Sequence, residues 1–184
     1  MKKDVLVKEA MKTNPVMVKP TISVFEVAKL MKKRKSGSVI VVEENQPLGI
    51  LTESDILRKV VAEGLNAEEV SVAEVMSTPI IVTDPYISIE QAMRTMGRCN
   101  IRRLPVVEGG KLTGIITHRD ITRISPLLYE LCREWPSSED TVKSSLRDQV
   151  FSGKCEDCNV LSTNLKNIDG RPLCEDCIDA LKYQ

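Results

Sequence analysis

The chain has 184 residues, and its 26 Lys plus Arg are matched by 26 Asp plus Glu, so the formal net charge is zero. That balance excludes a strongly basic nucleic-acid binder or an acidic tail protein as the default, and 42% apolar with 28% charged residues is too apolar for disorder. Only 3% of residues are aromatic, so Val, Ile, Leu and Met must build the core. The longest apolar run, 39–42, is four residues long, far short of the roughly 20 that span a bilayer. The first ten residues, M-K-K-D-V-L-V-K-E-A, hold no signal-type apolar region. A cytoplasmic chain without a membrane segment is expected, with its six cysteines serving as thiols or metal ligands.

In chain order, an extended stretch at 16–18 leads to Pro20, and Ser23 stands where a helix N-cap belongs. Val24, Val27, Ala28 and Met31 then form a helical apolar stripe. Lys32, Lys33, Arg34 and Lys35 close that helix, where cations suit its dipole. A β-branched run at 38–42, the turn E-N-Q-P, the short strand L-G-I-L and a helix starting near Thr52 complete a β-α-β-β-α unit.

The same series then returns. Its parts are an extended stretch at 80–82, Pro85, the N-cap Ser88, the stripe Ile89, Ala92, Met93 and Met96, the strand 104–107, E-G-G-K, T-G-I-I and a helix near Thr117. A shift of 65 gives 13 identities over the 39 positions 20–58, which marks a duplicated unit. At about 60 residues neither unit buries enough core alone, so the two are expected to pack sheet against sheet with two equivalent clefts between them.

After the second unit, Leu127, Leu128, Leu131 and Cys132 suggest a short helix ending near Pro136. Ser138 and Thr141 start another stretch with Val142, Leu146 and Val150. Cys99 and Cys132 read as buried small residues. The last part holds Cys155-x-x-Cys158 and Cys174-x-x-Cys177, 15 residues apart. Two such pairs can close a tetrahedron of thiolates around one ion. A segment of about 34 residues needs that metal to fold, and 167–170 looks like its hairpin turn. The competing reading is a pair of disulfides.

The segments G-I-L-T-E-S-D-I (49–56) and G-I-I-T-H-R-D-I (114–121), with L-P-V-V-E (104–108), resemble the closing motif of CBS domains, and a tandem pair resembles a Bateman module. The tail resembles a zinc ribbon of rubredoxin-like type, although Asn159 and Ile178 stand where glycine is typical of rubredoxin knuckles. The expected fold is therefore α+β. Two repeats (1–65 and 66–124) pack pseudo-symmetrically, followed by a helical linker (125–150) and a small metal-bound ribbon (151–184).

Thr52-x-x-Asp55 and Thr117-x-x-Asp120 are open to two readings. They fit capping boxes at helix starts. They equally fit a ligand site, in which N–H groups at the helix start take phosphate and the carboxylate accepts two ribose hydroxyls. The CBS resemblance implies the second, with adenosine ligands and with adenine near 16–18 and 36–38, or near 80–82 and 101–103. The first copy has Glu53 and Ser54 inside the motif, whereas the second has His118 and Arg119, with Arg102 and Arg103 nearby. Cations favour phosphate, so Thr117, His118, Arg119, Asp120 and Arg103 are the stronger candidate nucleotide site and Thr52 and Asp55 the weaker. His118, the sole histidine, has no nucleophile motif beside it.

The function expected is a regulatory sensor of AMP, ADP, ATP or S-adenosylmethionine, not an enzyme, coupled to a tetrathiolate ribbon holding zinc or iron through Cys155, Cys158, Cys174 and Cys177. Homodimerisation is expected by resemblance only, and a protein partner for the ribbon is a further expectation. One alternative is an iron redox protein gated by nucleotide, and another is a zinc-ribbon transcription regulator. Against the last, residues 151–184 carry four Lys or Arg and six Asp or Glu. Four thiolates and a divalent ion bring that net charge to −4 (−2 from the side chains and −2 from the site), which repels nucleic acid.

Overall fold

Ser23 and Ser88 cap their helices as expected, accepting the backbone N–H of Glu26 and of Gln91. The computed structural model describes residues 4–124 and 149–181. The first repeat contains α1 (Val7–Ala10), β1 (Met17–Val18), α2 (Val24–Arg34), β2 (Ser38–Glu43), β3 (Gln46–Thr52) and α3 (Glu53–Ile56). A wider π-type turn over Leu57–Val61 continues α3. The second repeat contains α4 (Val72–Val75), β4 (Ile80–Ile81), α5 (Ile89–Arg98), β5 (Arg103–Glu108), β6 (Lys111–Thr117) and α6 (His118–Ile124). The tail contributes β7 (Val150–Lys154), β8 (Leu161–Ile168), β9 (Arg171–Leu173) and α7 (Glu175–Leu181). The helices expected around Leu128 and Leu146 lie outside the described residues. Val150, expected to extend the second of them, instead opens β7.

The stripe residues Val24, Val27 and Met31 are buried, as are Ile89, Ala92, Met93 and Met96. Both repeats turn their hairpins with two left-handed residues, Glu44 and Asn45 in the first and Gly109 and Gly110 in the second. Such a turn matches the twist of the strands it joins.

Two four-residue helices missing from the sequence reading lock the repeats together. The Val7 and Lys8 amides of α1 donate to Ile87 and Pro85 of the second repeat. The Val72 and Ala73 amides of α4 donate to Ile22 and Pro20 of the first. Accordingly Val7 is buried in the second repeat's core, and Val72 and Val75 in the first's. Lys12 exchanges backbone hydrogen bonds with Ile115, and Ser77 does the same with Ile50. Each repeat is thus completed by the leading segment of the other. Between the sheets, Ile40, Ile80, Val82 and Ile115 form a small shared cluster.

The tail has no core of its own. Strand β7 pairs antiparallel with β4, giving the sheet order β4-β7-β8-β9. Phe151, Leu165, Leu173, Cys155 and Cys174 join Val7, Met93 and Leu104 in one buried cluster. On its other side the tail reaches the first repeat: the Ser152 hydroxyl donates to the Pro47 carbonyl, and Lys154 pairs with Glu43 at 2.9 Å.

Candidate functional site

At the start of α6, Thr117 and Asp120 form a reciprocal cap. The Thr117 amide and hydroxyl donate to one Asp120 oxygen at 3.1 and 2.5 Å, and the Asp120 amide donates to the Thr117 hydroxyl. Thr52 and Asp55 repeat the arrangement at 3.0 and 2.6 Å. The amides that follow are also used, His118 donating to Arg102 and Glu53 to Gly37. The capping reading of both motifs is therefore realised. The free N–H groups expected for phosphate are largely spent within the chain, which leaves side chains to meet a ligand.

The second carboxylate oxygen of each Asp meets the opposite repeat. Asp120 lies 3.3 Å from Lys12, and Asp55 accepts from Ser77 at 3.5 Å while pairing with Lys59 at 3.2 Å. Lys12 and Ser77 are 65 residues apart, so they are equivalent positions. Burial opposes ionisation of Asp55, but the bonds from Thr52 and the Lys59 ammonium outweigh it and hold the carboxyl below its ordinary range.

Thr117, His118, Arg119, Arg102 and Arg103 line one cleft of about 410 Å³ between the repeats. Val16, Ile40 and Ile115 supply its apolar surface, and Ser36, Gly37 and Ser38 its polar edge. Burial, then the neighbouring Arg102, keeps the His118 imidazole below its usual pKa. Three lining cations were missing from the sequence reading: Lys12, Arg34 and Lys35. At the end of α2, Arg34 and Lys35 are expected only to complement the helix dipole. Instead, with Lys35 closing α2 in a left-handed conformation, both residues also line the cleft.

Thr52 and Asp55 do not reach that cleft. Glu53 lines a neighbouring hollow with Lys32, Lys35 and Ile56. The two sides of the pair are also not equivalent, contrary to expectation. The positions matching Pro15 and Val16 are Ile80 and Ile81, and β7 is paired along that strand.

The four tail cysteines converge, with all their sulfurs within 4.8 Å of one another. Cys158 and Cys174 are 3.6 Å apart, too far for a disulfide bond of ~2.05 Å. A tetrahedron of ~2.3 Å zinc–sulfur bonds has sulfur–sulfur edges of ~3.8 Å, so the set fits a metal ion. Burial opposes ionisation of Cys155, yet backbone N–H groups from Cys158, Cys174 and Asp157 bring its thiol down to about 6. The neighbouring Cys158 and Cys174 sulfurs raise Cys177. Asn159, in the place of a glycine, adopts φ 59° and turns the first knuckle as glycine would. The second knuckle has no such turn and runs into α7, where the Ile178 amide donates to Cys174. Cys99 is buried elsewhere, which pushes its thiol up to about 11. Among the described residues, no helix is long and apolar enough to cross a membrane.

A family model described as CBS domain matches residues 7–62 and again 72–126. An uncharacterized protein of Methanopyrus kandleri is 33% identical over 181 residues, covering 96% of this chain and 92% of its own. The CBS domain pair of protein MJ0100, solved in complex with 5'-methylthioadenosine and S-adenosyl-L-methionine, is 27% identical with a TM-score of 0.61, covering 66% of this chain and 96% of that one. A hexameric CBS-CP12 protein from bloom-forming cyanobacteria is 35% identical with a TM-score of 0.62, covering 68% and 73% respectively.

Proposed function

The chain belongs to the CBS-domain family, and on that premise we propose that it is a regulatory sensor in which an adenosine-containing ligand in the Thr117 cleft acts on a metal-tetrathiolate ribbon. The carrying observation is one of contact. Ile40 and Ile115, which line the cleft, share a buried cluster with Ile80 and Val82. Ile80 is paired with Ser152 of β7, and the Val82 amide donates to Val150. A ligand that shifts the cleft wall therefore presses on the strand that carries the ribbon. It regulates to the extent that it binds the two arrangements of that strand with different affinity.

Within this reading Thr117 faces the sugar and phosphate and Arg119, His118 and Arg103 the phosphate; Asp120, outside the cleft lining, positions Thr117 and Lys12, and Thr52 and Asp55 belong to a weaker second place. Cys155, Cys158, Cys174 and Cys177 hold zinc or iron, since tetrahedral sulfur suits both. Bound there, the ion ties the knuckles to β8 and β9 and supplies folding energy to a segment without a core of its own. A reducing cytoplasm fits cysteines held as metal ligands. Self-association fits the exposed Leu57, Val61 and Leu65 at the end of the first repeat. The charge of the loaded ribbon favours a protein contact over nucleic acid.

Calorimetric titration of metal-loaded protein with AMP, ATP and S-adenosylmethionine, beside Asp120→Ala, tests the sensor. Saturable binding that is lost in the variant supports it. Absence of binding by folded protein leaves the two motifs as helix caps only. A visible absorption spectrum of protein purified without added metal separates an iron site from zinc.

A further inference from the structure

Resting on the Thr117 cleft as the ligand site, we propose that this cleft selects a nucleotide carrying two or more phosphates, and discriminates against S-adenosylmethionine and against nucleosides without phosphate. Six permanent cations line it: Lys12, Arg34, Lys35, Arg102, Arg103 and Arg119. They come from four separate places, namely the segment after α1, the end of α2, the approach to β5 and the start of α6. No Asp or Glu is among the lining residues. The carboxylates closest by are already engaged or off to one side. Asp120 is bound to Thr117 and Lys12. Glu53 lies in the neighbouring hollow, flanking Gly37 together with Arg103. Arg34, Lys35, Arg102 and Arg119 form no ion pair with another described residue.

Four guanidinium or ammonium groups around one small opening repel one another, and an anion that bridges them relieves that repulsion. A nucleoside triphosphate brings about four negative charges and a monophosphate about two. S-adenosylmethionine brings a sulfonium and an ammonium against one carboxylate, which places a cation among cations. Arginine forks are suited to successive phosphates because each can bind two oxygens at once. The apolar wall of Pro15, Val16, Ile40 and Ile115 is left for a base. The wall thus accepts an adenosine moiety, and the rim decides how many phosphates it must carry.

The test is calorimetric titration of the metal-loaded full chain, in magnesium-free buffer at low and at high salt. The ligands are ATP, ADP, AMP, S-adenosylmethionine, 5'-methylthioadenosine and inorganic tripolyphosphate. ATP is expected to bind at least about tenfold more tightly than AMP, with an affinity that falls as salt rises. S-adenosylmethionine should show no saturation where ATP saturates. Arg119 and Arg34 are exposed, so Arg119→Gln and Arg34→Gln do not endanger folding. Each should weaken ATP by roughly tenfold and AMP by less. S-adenosylmethionine or AMP binding as tightly as ATP, with Arg119→Gln weakening all three equally, overturns the polyphosphate selectivity while the adenosine sensor stands. Tripolyphosphate binding alone, without any gain from adenosine, supports the cationic rim and overturns the adenosine reading. Binding by none of the six overturns both.

Discussion

Asp55 shows how one side chain can close a helix and join two repeats. It accepts from the Thr52 amide and hydroxyl, pairs with Lys59 and meets Ser77 of the other repeat. Lys59 in turn donates to the Val75 carbonyl of α4 at 2.7 Å. Burial of the carboxylate works against ionisation, and these partners more than offset it, so the folded pKa lies below the ordinary 3.8. The sign follows directly: a depressed carboxylate stabilises the fold above its unfolded pKa, and that contribution is lost as pH falls through the folded value. Asp55→Ala should therefore cost ~1–2 kcal/mol at neutral pH. Urea unfolding of parent and variant should show that gap at pH 7 and a narrower one below about pH 3.8. A gap independent of pH would mean that the charge contributes nothing. The T-x-x-D spacing made the cap legible in the sequence. Lys12 and Ser77 stayed hidden as partners, because they come from segments whose proximity only the crossed packing of the repeats creates.

At the scale of elements, the crossing depends on two glycines. A Cβ on Gly114 would lie 2.8 Å from the Lys12 carbonyl oxygen and 2.7 Å from the Met11 sulfur. A Cβ on Gly49 would lie 2.8 Å from both the Ser77 carbonyl oxygen and the Met76 sulfur. These are the same contact 65 residues apart, made where each leading segment bonds to the last strand of the other repeat. The methionine can swing away, but the carbonyl is held in the backbone bridge. Gly114→Ala and Gly49→Ala should each destabilise by about 1–3 kcal/mol, read as a lower Tm in calorimetry. Parental melting of both would show that the leading segments are free to shift. Helices α2 and α5 and the β2–β3 and β5–β6 hairpins were legible because their apolar spacing repeats over several turns or pleats, whereas β7, β8 and α7 were not read. Helices α1 and α4, at four residues each, are too short to show a period and owe their shape to the repeat they dock on. The ribbon's attachment was equally hidden. Composition marks Phe151 and Leu165 as apolar, but not that they complete the core of the second repeat.

Over the whole molecule, a formal charge of zero conceals a segregation: six cations line the cleft, and the tail, with a metal on its four cysteines, would be acidic. The two regions touch the same small cluster from opposite sides, through Ile40 and Ile115 on one and through β4 and β7 on the other. Metal and nucleotide are therefore expected to be thermodynamically linked. Chelating the metal would remove the tie among Cys155, Cys158, Cys174 and Cys177, leaving β7–β9 to be held by packing, the ladder to β4 and the Pro47 and Glu43 contacts. The Val82 amide, which donates to Val150 at 3.1 Å, should then exchange with deuterium faster, and the cleft wall formed with Ile40 and Ile115 should loosen. Nucleotide affinity should fall by about fivefold or more, the lower end of typical coupling between sites. Linkage is reciprocal, so saturating nucleotide must raise metal affinity by the same factor. A competition titration with a chromophoric chelator, run with and without ATP, measures that factor independently of the calorimetry. Linkage requires the factors from the two directions to agree, so their common value is the coupling itself. Phe151→Ala, which thins the tail's packing on the second repeat without altering a cleft-lining residue or a cysteine, should shrink that coupling in both directions if the shared cluster carries it. If metal and nucleotide affinities prove independent of one another, the ribbon is a module fastened to the CBS pair without being governed by it.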